Sequence, residues 1–306
     1  MRSTYYNLIK ANSENISMVE IKQLSKSKCF NGYVAKYSYF SDLLNSETKF
    51  NVFFPPSYAQ IGKSPVIYFL SGLTCNEDNF ITKSGAVQPA SEHGIVLICP
   101  DTSPRNLNIP GDSDCWDFGV GAGFYVDATK DPYKSYQMYS FITLELKSLV
   151  ETEFSIDGSR SSIMGHSMGG HGSLIIGLKN PNTYRSISAF SPIGNFTMII
   201  IVHPANCPWG IKAFSGYLGS NNEIWKQYDT FELSKQYSGP KKTILVDVGS
   251  NDSFKDQLNV DLLKQVGNPL LDFNVRVQAD YDHSYWFIST FIRDHIQWHA
   301  SFLNET

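Results

Sequence analysis

From residue 65 onward the chain repeats one alternation: a short apolar run closed by turn residues, then a helical pattern. The runs are "PVIYFLSG" (65–72), "GIVLICPDT" (94–102), "SSIMG" (161–165), "SISAFSP" (186–192) and "KTILVDVG" (242–249). Segments this short and this apolar read as strands buried on both faces, the signature of a parallel sheet. Helical patterns lie between several of them, near 137–153, 168–180 and 253–266. Strands alternating with helices imply right-handed crossovers, hence an α/β fold with a mostly parallel central sheet and helices on both faces. "GYVAKYSYF" and "TKFNVFFPP" read as early strands, and "FNVRVQA" (273–279) alternates like a strand nearer the sheet edge. In 284–303, Trp286, Phe287, Phe291, Ile292, Ile296, Trp298 and Phe302 recur at broadly helical spacing, which suggests a closing helix. In an open sheet of this kind, chemistry gathers at the carboxyl ends of the strands.

No internal period or low-complexity linker divides the chain, so residues 18–306 read as one domain. Residues 1–17 lack an apolar signal-peptide core and read as a disordered N-terminal extension, with a transit peptide as the alternative. A net charge of −4 without a basic stripe argues against nucleic-acid binding. The longest apolar run, "MIIIV" (198–202), falls far short of the roughly 20 residues of a membrane span. The five cysteines are widely spaced with no CxxC, so reduced thiols are expected and a zinc site is not. No metal or nucleotide motif occurs, and no cofactor is expected.

"IMGHSMGGHGS" (163–173) places four glycines where a strand pattern meets a helical one. A chain that turns sharply from strand to helix crowds the turn residue, and small residues two positions to either side relieve the crowding. Gly165 and Gly169 bracket Ser167 in this way, making G-x-S-x-G. The corner exposes the serine hydroxyl and aims the next backbone N–H at the same point. Ser167 is the expected nucleophile; otherwise the stretch is a glycine-rich turn whose serine caps the helix. A serine hydroxyl needs a base. Among seven histidines, His283 follows a late strand and precedes the last helix, where such a base belongs. His295 and His299 lie within that helix and read as surface or packing residues, and His166 and His171 as support for the elbow. "LVDVGSNDSF" offers Asp247 inside a strand and Asp252 on the loop past its end. Asp252 is the expected orienting carboxylate, because the site lies beyond the strand ends. Asp282 adjoins His283, and chain neighbours point apart. The order Ser…Asp…His is that of α/β-hydrolases. Oxyanion donors are expected from the amides of Met168 and of Leu73, on the loop after "PVIYFLSG". Cys75 lies close by as a resting thiol; a nucleophilic cysteine is the rival reading.

These residues, with "LSGLTCNEDNFITKSG", "ASEHG", "PDTSPR", "WDFGVGAGFYVDAT", "CPWG", "AFSGYLG" and "YDHSYWFI", closely resemble the S-formylglutathione hydrolase (esterase D) family from about residue 18 to the C-terminus. The resemblance implies a cytoplasmic thioesterase of formaldehyde detoxification that acts on S-formylglutathione, often as a homodimer. It carries the family's triad onto Ser167, Asp252 and His283, and its oxyanion donors onto Leu73 and Met168. Trp116, Phe118, Phe124 and Trp209, with Cys75, are candidates to wall the acyl pocket, the aromatics otherwise being core. The chain departs from the family in the inserted apolar stretch "TMIIIVHP" (197–204) before "CPWG". That stretch is either a lid element or a gene-model error. The acid loop "VGSNDSF" also replaces the commoner "DQGKDDQF".

Overall fold

A computed structural model describes residues 20–58, 60, 62–194 and 208–305. The expected extension at 1–17, the apolar stretch at 197–204 and Cys207 lie outside the described residues. The strands are β1 (Lys22–Cys29), β2 (Gly32–Ser41), β3 (Ser46–Phe54), β4 (Ser64–Leu70), β5 (Val96–Pro100), β6 (Ile156–His166), β7 (Tyr184–Phe190), β8 (Lys242–Gly249) and β9 (Leu271–Gln278). They form one sheet in the order β1-β2-β3-β5-β4-β6-β7-β8-β9. The first four strands in that order pair antiparallel and every later pair is parallel. The longer helices are α1 (Glu77–Lys83), α2 (Val87–His93), α3, α4 (Met168–Lys179), α5 (Pro208–Leu218), α6 (Thr230–Lys235) and α7 (Tyr285–Leu303). In α3, a π-helical turn at Phe141–Leu146 joins Met138–Ser140 to Lys147–Glu153.

The two-residue period of each central strand divides the core between the sheet's faces. In β4, Val66, Tyr68 and Leu70 enter one apolar cluster with α3, α4 and α5. Ile67 and Phe69, on the other face, pack with Phe80 of α1, Ala90 of α2 and Phe287, Ile292 and Ile296 of α7. β5 repeats the division, Val96 and Ile98 facing the first cluster and Leu97 and Cys99 the second. Helices therefore cover both faces, as the apolar runs require. Among the described residues no helix is long and apolar enough to cross a membrane.

Three elements differ from the sequence reading. β1, "KQLSKSKC", is exposed along almost its whole length, so it carries no burial pattern to read. The expected helix over 253–266 is broken: Lys255–Leu258 is α-helical, Val260–Gln265 is 3₁₀, and Asn259 between them has φ +48°. The closing helix is present, but its buried stripe includes His295 and His299, whereas Trp286 is 82% exposed.

Candidate active site

β6 ends at His166, and Ser167 turns the chain into α4 with φ 57° and ψ −119°. That is a left-handed φ which non-glycine residues adopt only when their surroundings enforce it. The turn can be this tight because of its flanking glycines. A Cβ on Gly169 would lie 2.0 Å from the Leu70 carbonyl oxygen, and one on Gly165 would lie 2.1 Å from the Gly169 carbonyl oxygen. Any side chain at either position would push β4, β6 and α4 apart. The Ser167 amide donates to the Phe190 carbonyl at 2.9 Å, which ties the elbow to the end of β7. Met168 begins α4, so its N–H has no acceptor within the helix.

His283 arrives on the loop between β9 and α7. Its Nδ1 donates to Oδ2 of Asp252 at 2.6 Å. Asp252, past the end of β8, also accepts from the Ser191 hydroxyl at 2.7 Å and from the Phe254 amide at 2.8 Å. Burial by itself would raise the Asp252 pKa, but these donors, His283 foremost, outweigh it and hold the carboxyl below its usual value. Asp252 is thus an ionised group that holds one face of the imidazole and leaves the other ring nitrogen free to work. Asp247, the alternative acid, points elsewhere. It takes both arms of Arg276, at 2.6 and 2.7 Å, and lies 3.5 Å from His295. Asp282 spends one carboxylate oxygen on the Ser284 amide and hydroxyl at the start of α7.

Ser167, Met168, Leu73 and His283 open on one cavity of about 310 Å³. Leu73 sits in a tight turn, with the Cys75 amide donating to the Gly72 carbonyl at 3.3 Å and Thr74 at φ 66°. The turn is braced from outside. The Thr74 amide donates to Gly121, and the Cys75 carbonyl accepts from Thr102 Oγ1 at 2.6 Å and from Arg105 at 3.2 Å. The loop that carries the second amide is thereby held in place before any substrate arrives, which suits an oxyanion site. The Cys75 thiol is buried, and burial pushes its pKa up, so it rests as a thiol and is a poor nucleophile.

Of the expected wall residues, Cys75, Trp116 and Trp209 line the cavity. Phe118 and Phe124 do not. Phe118 stacks with Tyr217 and meets Tyr133 edge-on, and Phe124 is fully buried behind Trp209 with its ring 6.0 Å away. Sequence reasoning missed Ile193, Phe254, Leu258 and Tyr285, which line the cavity, and Ser191, which donates to Asp252. Only Tyr285 and Phe254 had a signal, namely their closeness in sequence to His283 and Asp252. The others come from the segment after β7 and from the short helix Lys255–Leu258, which fold back over the site.

The "Putative esterase" family model matches residues 41–298. S-formylglutathione hydrolase from Rattus norvegicus is 51% identical over 290 residues, covering 94% of this chain and all of the relative. Its Arabidopsis thaliana counterpart is 48% identical over 289 residues, covering 92% and 98%. The chain belongs to the S-formylglutathione hydrolase family. A solved S-formylglutathione hydrolase from Agrobacterium tumefaciens superposes with a TM-score of 0.86 at 41% identity, covering 92% of this chain and all of the other. The α/β-hydrolase fold and serine-hydrolase character expected from the sequence are those of the S-formylglutathione hydrolase family. His166 and His171 flank Ser167 in "GHSMGGHGS". His166 packs its ring 4.6 Å from that of His283, and His171 is fully buried beneath the elbow. Burial lowers both their pKa values, that of His171 to about 4, so both stay neutral beside the site.

Proposed function

We propose that this protein hydrolyses S-formylglutathione to glutathione and formate. The observation that carries the reading is the 2.6 Å bond from His283 to a buried, ionised Asp252 at the cavity that holds the strained Ser167. Ser167 Oγ attacks the formyl carbon while His283 Nε2 takes its proton. The amides of Met168 and Leu73 hold the oxyanion, each contributing about 3–4 kcal/mol in related chemistry. The tetrahedral intermediate expels the glutathione sulfur, which takes the proton from His283 and leaves as the thiol; with a thiol pKa of about 8.5 it needs little help to leave. Water activated by His283 then cleaves formyl-Ser167, and the proton returns to the serine oxygen.

The same reading makes residues 18–306 the catalytic domain and residues 1–17 an extension. It assigns the protein to formaldehyde detoxification in the cytoplasm, as a homodimer. A second reading, a broad carboxylesterase for small acyl esters, is favoured by the size of the cavity and its apolar walls of Trp116, Trp209 and Phe254, since a formyl group has no side chain to fill it. The deciding experiment follows thioester loss and thiol release by the purified protein, with a short aryl acetate as competitor. The expected result is a much higher kcat/KM for S-formylglutathione, abolished in Ser167→Ala. A preference for the aryl ester overturns the substrate assignment, and an active Ser167→Ala overturns the serine mechanism.

A further inference from the structure

Among the described residues, no Asp, Glu, Lys or Arg lines the cavity beside Ser167. The glutathionyl leaving group carries two carboxylates and one ammonium at neutral pH. Its ionic ends therefore cannot be matched inside the cavity and must be met at the rim. Most cations of this region are already committed. Arg105 pairs with Asp101 at 2.6 Å and bonds the Cys75 carbonyl. Lys212 of α5 pairs at 2.8 Å with Asp117, beside Trp116. Lys36 holds Glu77 and Asp78 at the start of α1.

Lys83 differs. It is the last residue of α1, exposed, and among the described residues it makes no ion pair with a carboxylate. Its Nζ sits 5.6 Å from the centre of the Tyr285 ring, and Tyr285 lines the cavity. Its charge also acts on the Cys75 thiol, another lining group. The ring contact lies near the outer limit of a cation–π interaction, about 6 Å, so it positions the ammonium without using up its donors. α1 leaves the Leu73–Cys75 turn directly, and α7 leaves His283 directly. Lys83 Nζ therefore lies beside Tyr285, the first residue of the helix that follows the proposed base.

We infer that Lys83 is a specificity residue that binds the glycine carboxylate of the glutathionyl leaving group from the cavity rim. The glycine carboxylate is the nearer of the peptide's two to the thioester, about 7 Å along an extended chain. This rests on the substrate reading given above. The contact acts only while the thiol is attached. It bears on formation of the formyl-enzyme, read in kcat/KM, and has no part in the later hydrolysis of formyl-Ser167.

The test compares kcat/KM for S-formylglutathione, for its glycine ethyl ester and for a neutral aryl acetate in wild type, Lys83→Met, Lys83→Glu and Lys255→Met. Lys255, next to the lining residue Phe254, is a nearby cation with no assigned role. The expected result in Lys83→Met is a loss of about tenfold in the ratio of S-formylglutathione to aryl acetate, as for one charged hydrogen bond, and a larger loss in Lys83→Glu. In wild type, blocking the glycine carboxylate should cost a similar factor, and in Lys83→Met almost nothing. The wild-type ratio should fall with added salt more steeply than that of Lys83→Met. An unchanged ratio in both Lys83 variants overturns the inference alone. An equal loss in Lys255→Met replaces a specific contact by a diffuse field and also overturns it. A wild type that does not turn over S-formylglutathione overturns the substrate reading and this inference together.

Discussion

At the residue scale, two aspartates on one strand–loop segment do different work. Asp252 faces His283, Ser191 and the Phe254 amide; Asp247 faces Arg276, Gln278 and His295. Asp252→Asn keeps the shape but offers the imidazole an amide, which favours the wrong tautomer. Turnover should fall by about 10³–10⁴-fold with the melting temperature little changed. Asp247→Asn should do the reverse. It leaves the Arg276 fork half-satisfied beneath α7, with an expected loss of about 1–3 kcal/mol of stability and activity within a few-fold of wild type. Denaturant melts and steady-state rates on the two variants check both halves. A slow, stable Asp247→Asn would mean that the acid is misassigned. The sequence had one cue here, the position of Asp252 past the strand end. Apart from the Phe254 amide, the partners that separate the two carboxylates come from strands, loops and a helix distant in the chain.

At the element scale, the elbow depends on how closely α4 approaches the ends of β4 and β6. Gly169→Ala would drive a methyl group into the Leu70 carbonyl oxygen, whose chain continues into the Leu73 turn. Backbone cannot yield as a side-chain tip can, so a stability loss of about 3 kcal/mol or more is expected. Any protein that does fold should have a displaced Leu73 amide and a reduced kcat. Equilibrium unfolding and kinetics on the soluble fraction test this, and a variant as stable and as active as wild type would show that the corner is looser than its geometry implies. The G-x-S-x-G spacing made this element readable in advance, because the steric demand is local. The break at Asn259 was not readable. The Gly194 amide donates to the Leu258 carbonyl at 2.6 Å there, a contact made across the fold.

At the scale of the whole molecule, four histidines among the described residues are buried and held neutral. His166 and His171 lie at the elbow, and His295 and His299 lie on the buried face of α7 against Ser186 and Ser188 of β7. Burial is the main cause in each case, and it sets their folded pKa values below the ordinary one. In the unfolded chain each titrates near about 6.5. Below that pH the unfolded state binds more protons, so stability is lost as pH falls, by up to about 1.4 kcal/mol per pH unit for each histidine. Asp252 and Asp247 have lowered pKa values, and their contribution is lost only at pH values below the ordinary carboxylate range. The window between about pH 6.5 and pH 5 thus belongs to the histidines. The melting temperature should drop steeply across it, and His299→Gln should reduce the slope by close to one proton. A flat profile from pH 7 to pH 5.5 would contradict the burial of these rings.

The amino-acid order by itself determined whatever depends on local sterics and periodicity. It specified parallel strands from short apolar runs, an elbow from glycines two residues either side of Ser167, and the late His283. It favoured Asp252 over Asp247 as the partner of His283 only through the rule that loops beyond strand ends carry the chemistry, and Asp252 is the one found against His283. Tertiary structure decided what depends on contacts between distant segments. It set β1 beside β2 although β1 buries almost nothing, and it turned His295 and His299 into the core. It kept Phe118 and Phe124 out of the cavity and brought in Ile193, Leu258 and Tyr285. An aromatic residue looks the same in sequence whether it fills a core or walls a cavity. Only the packing of three-dimensional neighbours leaves one face of it open.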